Sequence, residues 1–320
     1  MRKPRRLQAG DTIGVAAPAS PYYNRSELGR GVRWLESQGF KVKVGPNVRE
    51  QRGYLAGIDE KRAADLMAMF LDPDVDGVHC LQGGYGAARL LPLLDINAIA
   101  ATGKPFCGLS DITSLHVPLN QAGLITFYGP GVVGVGDKET TSFSRDSWKA
   151  ALMGAEPLGR VPTSPDDDWV QCLVPGIGEG ELCGGCLTLV CATLGTPWEV
   201  DTRGKILVLE DVDAEPYAFD NLLNHLRLAG KLQQAAGIVI GECQNCKPYD
   251  YKPGFPSTLS LEDILDELIV PLAVPAIYGL PLGHGKHHFT LPLGARARLD
   301  AAALDLSVLE VATDPAPASC

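Results

Sequence analysis

The stretch VDGVHCLQGGYGAARLLPLL, residues 75–94, decides the fold class of this chain. Its first part, 75–81, is mostly apolar and predicts a buried strand, and its last part, 87–94, predicts a helix. Between them, the glycine-rich segment 82–86 predicts a tight turn, because glycine adopts backbone conformations that other residues avoid. A strand, a short turn and a helix in this order indicate a parallel βαβ arrangement.

The same alternation continues on both sides of this stretch. Strands are predicted at 12–17, 40–44 and 105–109, and helices at 28–35, 60–70 and 112–120. We therefore predict an N-terminal α/β domain with a Rossmann-like parallel sheet over residues 1–141.

The second half of the chain has a different character. Residues 142–168 contain three prolines and end in a run of aspartates, so we interpret them as a linker. Beyond them, strands are predicted at 178–182, 206–209, 237–240 and 295–299, and helices at 217–228 and 261–268. This pattern predicts a smaller, β-rich α+β domain over 169–312, followed by a mobile tail at 313–320.

Composition excludes several classes of protein. The 320 residues fit about two domains, and 45% hydrophobic with 21% charged residues is typical of a soluble globular protein. The net charge of −10 argues against a nucleic-acid partner, and no apolar run of about 18 residues predicts a membrane span. We interpret the basic residues 2–6 as a tail before the first strand rather than an export signal. The nine cysteines lie in no disulfide framework, which indicates reduced thiols in the cytoplasm.

Two strand-to-helix turns are candidate sites in the first half. Ser110 follows an apolar strand, so its hydroxyl is either a nucleophile on a sharp turn or simply a cap for the next helix. The glycine turn at 82–86 is either a dinucleotide-binding turn or an oxyanion-stabilising loop. The dinucleotide fingerprint is incomplete, because the third glycine and the acidic residue about 20 positions later are both missing.

Two further candidates lie in the second half. Glu210 ends an apolar strand, where it is either a functional carboxylate or the start of a solvated loop. His284 lies between two glycines and is a base, a metal ligand or an exposed loop residue, whereas we expect His287 and His288 at the surface. The Cys-x-x-Cys pairs at 183–186 and 243–246 are too far apart for the usual zinc spacing of about 15–20 residues. We therefore predict no metal.

Taken together, these segments resemble the LD-carboxypeptidase family of serine peptidases. The resemblance runs from about residue 10 to 294 and rests on segments that occur in one order. They are GDTIGVAAPAS (10–20), YLAG (54–57), QGGYGAARLL (82–91), GLSD (108–111), GTPW (195–198), LEDV (209–212) and GHG (283–285).

The resemblance implies a Ser-His-Glu triad made of Ser110, His284 and Glu210, with an oxyanion hole at the backbone amides of Gly84 and Asp111. It implies a cytoplasmic homodimer without a cofactor that releases the terminal D-alanine of murein tetrapeptides, in peptidoglycan recycling. The sister branch of the family inactivates peptide–nucleotide antibiotics of the microcin type. The glycine turn at 82–86 leaves a nucleotide-dependent oxidoreductase as a further alternative function.

Three positions depart from the usual family pattern. Gln82 stands where members often have arginine, Tyr128 where they often have histidine, and Cys186 where asparagine is usual. No triad residue is affected, so these departures bear on substrate contacts rather than on the nucleophile.

Overall fold

The computed structural model describes residues 1–167 and 169–315, and they form two compact units. The N-terminal unit comprises residues 1–157, 289–294 and 311–315. The C-terminal unit comprises the described residues of 158–288 together with 295–310. Among the described residues, no helix is long and apolar enough to cross a membrane.

The N-terminal unit is built on a six-stranded sheet of order β12-β5-β4-β3-β1-β2. Its strands are β1 (Thr12–Ala16), β2 (Lys41–Val44), β3 (Gly77–Cys80), β4 (Phe106–Gly108), β5 (Thr126–Tyr128) and β12 (Leu291–Leu293). The strands β1 to β5 pair in parallel, and β12 joins the edge antiparallel to β5. The predicted parallel sheet is therefore confirmed, with an additional edge strand contributed by a distant part of the chain.

Helices connect these strands. They are α1 (Arg25–Ser37), α2 (Asp59–Leu71), α3 (Ile96–Ala101), α4 (Thr113–Gln121), α5 (Val132–Val135) and α6 (Ser142–Met153). The segment after the glycine turn, Ala87–Leu93, is a 3₁₀ helix that contains Pro92, rather than the α-helix expected there. Proline removes one backbone donor, which disfavours a regular α-helix at this position.

The C-terminal unit contains an eight-stranded mixed sheet of order β6-β14-β13-β8-β9-β10-β11-β7. Its strands are β6 (Gly159–Arg160), β7 (Gln171–Val174), β8 (Ile177–Cys186), β9 (Ile206–Glu210), β10 (Gly237–Glu242), β11 (Ala276–Gly283), β13 (Arg296–Asp300) and β14 (Asp305–Val308). The central strands β8 to β11 are parallel, and the outer pairs are antiparallel. The described residues of this unit also form three α-helices, α7 (Leu187–Ala192), α8 (Pro216–Leu228) and α9 (Leu261–Leu268), and a short 3₁₀ helix, Val270–Leu272. The prediction of a smaller β-rich domain agrees with this sheet.

The structure differs from the sequence-based boundaries at the expected linker. Helix α6 occupies the first part of 142–168 and belongs to the N-terminal unit. Its Trp148 is only 1% exposed and packs edge-on against Trp34 and Phe40 and in a stack with His79. Three prolines suggested a linker, but they begin after this helix. Asp168, the last residue of that expected linker, lies outside the described residues.

Both chain ends contact the N-terminal unit, which was not expected of the C-terminal tail. Arg5, in the expected N-terminal tail, forms ion pairs with Asp11 and Asp76. In the expected mobile tail, Thr313 is buried and the Asp314 amide donates to the Pro4 carbonyl at 2.8 Å. Residues 316–320 of that tail lie outside the described residues.

Candidate active site

Ser110 occupies a strained backbone position at the end of β4. Its φ is 66°, in the left-handed region that non-glycine residues seldom adopt. Such a conformation costs of order 1–3 kcal/mol and persists only where the surroundings impose it. A short 3₁₀ turn, Ser110–Ile112, then leads into α4. This sharp strand-to-helix turn is the geometry that a nucleophilic serine requires.

Ser110 does not cap the following helix, which was the alternative interpretation of this residue. Leu109 is the N-cap of the 3₁₀ turn and Ile112 that of α4, and neither helix start carries a side-chain capping bond. The Ser110 amide instead donates to the Tyr128 hydroxyl at 3.3 Å. Tyr128, one of the departures from the family pattern, therefore helps to hold the turn.

The glycine loop lies directly against this serine. A Cβ atom on Gly83 would come within 2.8 Å of both the Leu109 carbonyl and the Ser110 Cβ, so only glycine fits there. Gly84 has a φ of 108°, and a Cβ on it would lie 2.4 Å from Ser20 Oγ. Ser20 fixes the loop by accepting the Tyr85 amide at 3.0 Å. The amide of Gly84, a predicted oxyanion donor, is thus part of a loop that packs on the turn at Ser110.

Asp111 holds the other end of the same loop through its side chain. The buried carboxylate accepts the Ala87 amide at 2.7 Å and also the Gly86 amide. Burial raises the pKa of Asp111, although both amide bonds and the charge of Arg62 oppose that shift. Amides that a dinucleotide phosphate would use are therefore already bound to a carboxylate, which argues against the dinucleotide reading. Sequence reasoning missed this role of the Asp111 side chain.

In the C-terminal unit, the structure brings Glu210 and His284 together. Glu210 ends β9 and is fully buried, and its Oε2 lies 2.7 Å from Nδ1 of His284. Burial lowers the pKa of His284, but the hydrogen bond and charge of Glu210, together with the charges of Asp211 and Asp213, outweigh it, so the pKa is raised above its usual value of 6.5. With Nδ1–H donated to the carboxylate, Nε2 keeps the lone pair that a general base needs.

The glycines on either side of His284 each lie against a carboxylate. Gly283 has a φ of 98°, and a Cβ on it would lie 2.1 Å from Glu210 Oε2. A Cβ on Gly285 would lie 1.8 Å from Glu242 Oε2. Any other residue would therefore push a carboxylate away from the histidine loop, which gives the Gly-His-Gly motif a steric explanation.

Asp211 points away from Glu210, as expected for neighbours on an extended segment. Its Oδ2 accepts the Thr188 amide at 2.9 Å and the Thr188 hydroxyl at 2.8 Å. Cys186, another family departure, donates its thiol to Asp211 Oδ1 at 3.8 Å. Burial raises the pKa of Asp211, and these hydrogen bonds oppose the shift. Asp211 thus supports the start of α7 and does not contact His284.

The remaining candidates have other surroundings. Gln82 donates to the Pro21 carbonyl at 2.5 Å. The expectation of a surface His287 is wrong, because this side chain is 6% exposed and lies 3.2 Å from Asp166. Burial lowers the pKa of His288 to about 4, so this side chain is also largely shielded from solvent. Within the described residues, no group of three or more metal-ligating side chains is positioned to hold an ion.

Comparison with known proteins decides the family. The sequence matches the LD-carboxypeptidase N-terminal domain over residues 13–129 and the LD-carboxypeptidase C-terminal domain over residues 179–299. The chain belongs to the LD-carboxypeptidase family. Ser110 lies in the first matched domain, and Glu210 and His284 lie in the second.

Individual relatives agree with this membership. The probable murein peptide carboxypeptidase of Bacillus subtilis is 41% identical over 94% of this chain and 92% of its own. The crystal structure of muramoyltetrapeptide carboxypeptidase from Oxalobacter formigenes is 31% identical, with a TM-score of 0.81 over 95% of this chain and 100% of that one. The microcin C7 self-immunity protein MccF reaches a TM-score of 0.86 over 98% and 100% of the two chains. At 24% identity, the similarity to MccF shows the shared fold alone.

Proposed function

We propose that this LD-carboxypeptidase family member is a serine peptidase that releases the terminal D-alanine of murein tetrapeptides. In this proposal Ser110 is the nucleophile, His284 the general base and Glu210 its partner. The backbone amides of Gly84 and Asp111 form the oxyanion hole. The bond cleaved joins the L-centre of diaminopimelate to D-alanine, and the reaction needs no metal or organic cofactor.

The observation that carries the proposal is the bond between His284 and Glu210. A buried carboxylate 2.7 Å from Nδ1 fixes the imidazole tautomer and stabilises the imidazolium that forms when the base takes a proton. The two residues are 74 positions apart, and a fully buried glutamate without such a partner would be costly. The strained turn at Ser110 supports the nucleophile assignment independently.

The proposed reaction follows from these roles. His284 Nε2 takes the proton of Ser110 as Oγ attacks the scissile carbonyl carbon. The amides of Gly84 and Asp111 stabilise the negative charge on the carbonyl oxygen, an effect of about 3 kcal/mol for each donor in comparable sites. His284 then gives the proton to the departing amine of D-alanine. Water, activated by the same imidazole, hydrolyses the acyl-enzyme and restores the serine.

The relatives support a murein peptide as the substrate. Two of them, at 41% and 31% identity, carry names that specify a murein or muramoyl peptide. The sister reaction, on a microcin-type peptide–nucleotide, is supported less strongly, because MccF shares the fold but is only 26% identical in sequence. We propose a role in peptidoglycan recycling, a cytoplasmic location and a homodimer as further parts of this function. Light scattering of the purified chain tests the dimer.

Mass spectrometry tests the reaction directly. The purified protein is incubated with murein tetrapeptide, and free D-alanine and the tripeptide are measured. The matched substrate control is the same tetrapeptide ending in L-alanine, which we expect to remain intact. Release of D-alanine by the wild-type protein but not by Ser110→Ala supports the proposal. Equal release by both proteins contradicts it, and cleavage restricted to a peptide–nucleotide conjugate favours the sister reaction.

A further inference from the structure

The turn that follows β10 carries two thiols that the peptidase mechanism does not use. Cys243 and Cys246 are joined by a backbone hydrogen bond from the Cys246 amide to the Cys243 carbonyl at 3.3 Å. Such a turn keeps its first and fourth Cα atoms within about 7 Å. Disulfides need Cα separations of roughly 4.4–6.8 Å, so the backbone already brings the pair into the required range.

The two side chains also meet. The Cys243 thiol donates to the Gly241 carbonyl at 3.7 Å and the Cys246 thiol to the Gln244 carbonyl at 3.8 Å. Contact between the two thiols lowers the pKa of Cys246. The same contact, together with burial, raises the pKa of Cys243. The Ala214 amide donates to the Cys246 sulfur as well, which further favours its thiolate. The thiolate is the nucleophile in disulfide exchange, and a neighbouring thiol can then resolve the intermediate.

A small disulfide can reach these sulfurs. Both cysteines line an open cavity of about 600 Å³ in the C-terminal unit, whose wall also includes Tyr278 and Leu261. Volumes of 300–1,000 Å³ are typical of small-molecule sites. Cys243 is partly exposed, and Cys246 is 8% exposed. The pair therefore combines mutual contact, an activated sulfur and access for a reagent.

We propose that Cys243 and Cys246 form a reversible dithiol–disulfide site that exchanges with low-molecular-weight disulfides such as oxidised glutathione. The Cys246 thiolate attacks one sulfur of the reagent, breaks its S–S bond and releases one glutathione thiolate. Cys243 then loses its proton, attacks the Cys246 sulfur of the mixed disulfide and expels the second glutathione. The protein is oxidised by loss of two hydrogens, and the reagent is reduced to two thiols.

The site is connected to the segment after Glu210. Val212 bridges to Gln244, and the Asp213 amide donates to the Gln244 carbonyl at 3.0 Å. Asn245 donates its side-chain amide to Asp213 Oδ1 at 2.6 Å. Asn245 and Asp213 both have left-handed φ angles, of 54° and 56°. Oxidation therefore modifies a turn that is bound to the loop leaving β9.

The second Cys-x-x-Cys pair is the natural control within the same unit. Cys183 and Cys186 lie on β8 and have separate surroundings: Cys186 donates to Asp211, whereas the charge of Lys205 acts on Cys183. Burial raises the pKa of Cys183 to about 12 and that of Cys186 as well. The two Cys-x-x-Cys pairs therefore have the same spacing in sequence but different surroundings. We expect no disulfide between Cys183 and Cys186.

Peptide mapping tests the proposal without reference to peptidase activity. The full-length protein is equilibrated with oxidised glutathione, unreacted thiols are blocked and trypsin is added. The fragment 232–286 contains Cys243 and Cys246 as its only cysteines, because the lysines at 247 and 252 precede prolines. We expect this fragment to lose two hydrogens and to regain them with dithiothreitol. The fragment 161–203, which carries Cys183 and Cys186 together with Cys172 and Cys191, is expected to gain no internal bond.

Serine variants separate the two sulfurs. Cys243→Ser should stop at a mixed disulfide on Cys246, whereas Cys246→Ser should react several-fold more slowly. A wild-type fragment that keeps both thiols, or that stops at the mixed disulfide, overturns the proposal. The wild-type measurement suffices if a variant does not fold. Failure of the peptidase assay leaves this result unaffected, so the two proposals are tested separately.

Discussion

The turn at Ser110 and the pair Glu210–His284 hold the proposed catalytic groups in different ways. Ser110 is held by its backbone: a φ of 66°, a glycine loop in close contact and the Tyr128 hydroxyl on its amide. Glu210 and His284 are held by charge: a buried carboxylate and an imidazole whose pKa it raises. The first arrangement fixes where an atom lies, and the second fixes which protonation state it has.

This difference separates the expected effects of substitution. Changing the Ser110 hydroxyl removes the proposed nucleophile but disturbs no charge, so its effect should be independent of pH. Changing Glu210 leaves every reacting atom in place but alters the proton affinity of His284, so its effect should depend on pH. The predictions below are ordered from the largest expected loss of rate to the smallest.

The largest loss is expected for Ser110→Ala. Removing the proposed nucleophile should lower kcat by about 10⁶, as measured for a serine-protease triad. The side chain makes no capping bond, so the denaturation midpoint in urea should change little. Both quantities are measured on one preparation, with circular dichroism as a check of the fold. A variant that retains near-normal turnover contradicts the nucleophile assignment.

Glu210→Gln should show the charge effect. Glutamine preserves the shape but loses the charge that favours the imidazolium, and we expect kcat to fall by about 10²–10⁴. The base must be neutral, so kcat/KM rises with pH through the pKa of His284, which lies above 6.5 in the wild-type protein. Glu210→Gln removes the hydrogen-bonded charge that contributes most to raising that pKa, while the charges of Asp211 and Asp213 remain. The pKa should therefore fall, and the acid limb of the profile should move to lower pH. If the acid limb of the Glu210→Gln profile does not move, the pairing of Glu210 with His284 is contradicted. A nearly active Glu210→Gln together with an inactive Asp211→Asn contradicts it as well.

Gly283→Ala should break the same pair through sterics. The added Cβ would lie 2.1 Å from Glu210 Oε2, and the φ of 98° disfavours any residue but glycine. We expect kcat to fall by about 10–100-fold, because the hydrogen bond that orients His284 lengthens. Gly195→Ala is the matched control, since its φ is 76° but a Cβ there meets nothing within 4 Å. Equal activity of the two variants contradicts the steric argument.

Much of the N-terminal sheet could be predicted from the sequence, because short apolar runs alternate with amphipathic helices along the chain. Strand β11 was missed, since Gly279 and Pro281 interrupt its apolar run, although it is buried throughout. Helix α6 was missed because nearby prolines outweighed its pattern. These elements are fixed by packing against distant residues, which a local pattern does not contain.

The site shows the same limit. The turn at Ser110 follows from a local strand-to-helix pattern, but the contact between Glu210 and His284 spans 74 residues and was expected only from the family resemblance. The Asp111 carboxylate that binds the Ala87 amide had no sequence signal, because its partner is 24 residues away on another turn. The steric need for Gly283 becomes visible only once Glu210 is placed beside it.

The smallest expected loss of rate belongs to Asp211→Asn, and it sharpens the comparison between neighbouring carboxylates. Asp211 accepts both the amide and the hydroxyl of Thr188 through one oxygen and the Val212 amide through the other. Asparagine keeps only one acceptor oxygen, so one of these bonds is lost. We expect a loss of about 1 kcal/mol in the free energy of unfolding, similar to that of a helix cap.

The rate should change less than about threefold in Asp211→Asn, because this side chain does not touch His284 and sits on the opposite side of the extended segment. Urea denaturation and kcat on the tetrapeptide measure the two effects in one variant. Glu210→Gln and Asp211→Asn therefore make a reciprocal pair: the first should lose rate, and the second should lose stability. If Asp211→Asn instead lost rate by 10² or more at unchanged stability, the role of partner to His284 would pass from Glu210 to Asp211.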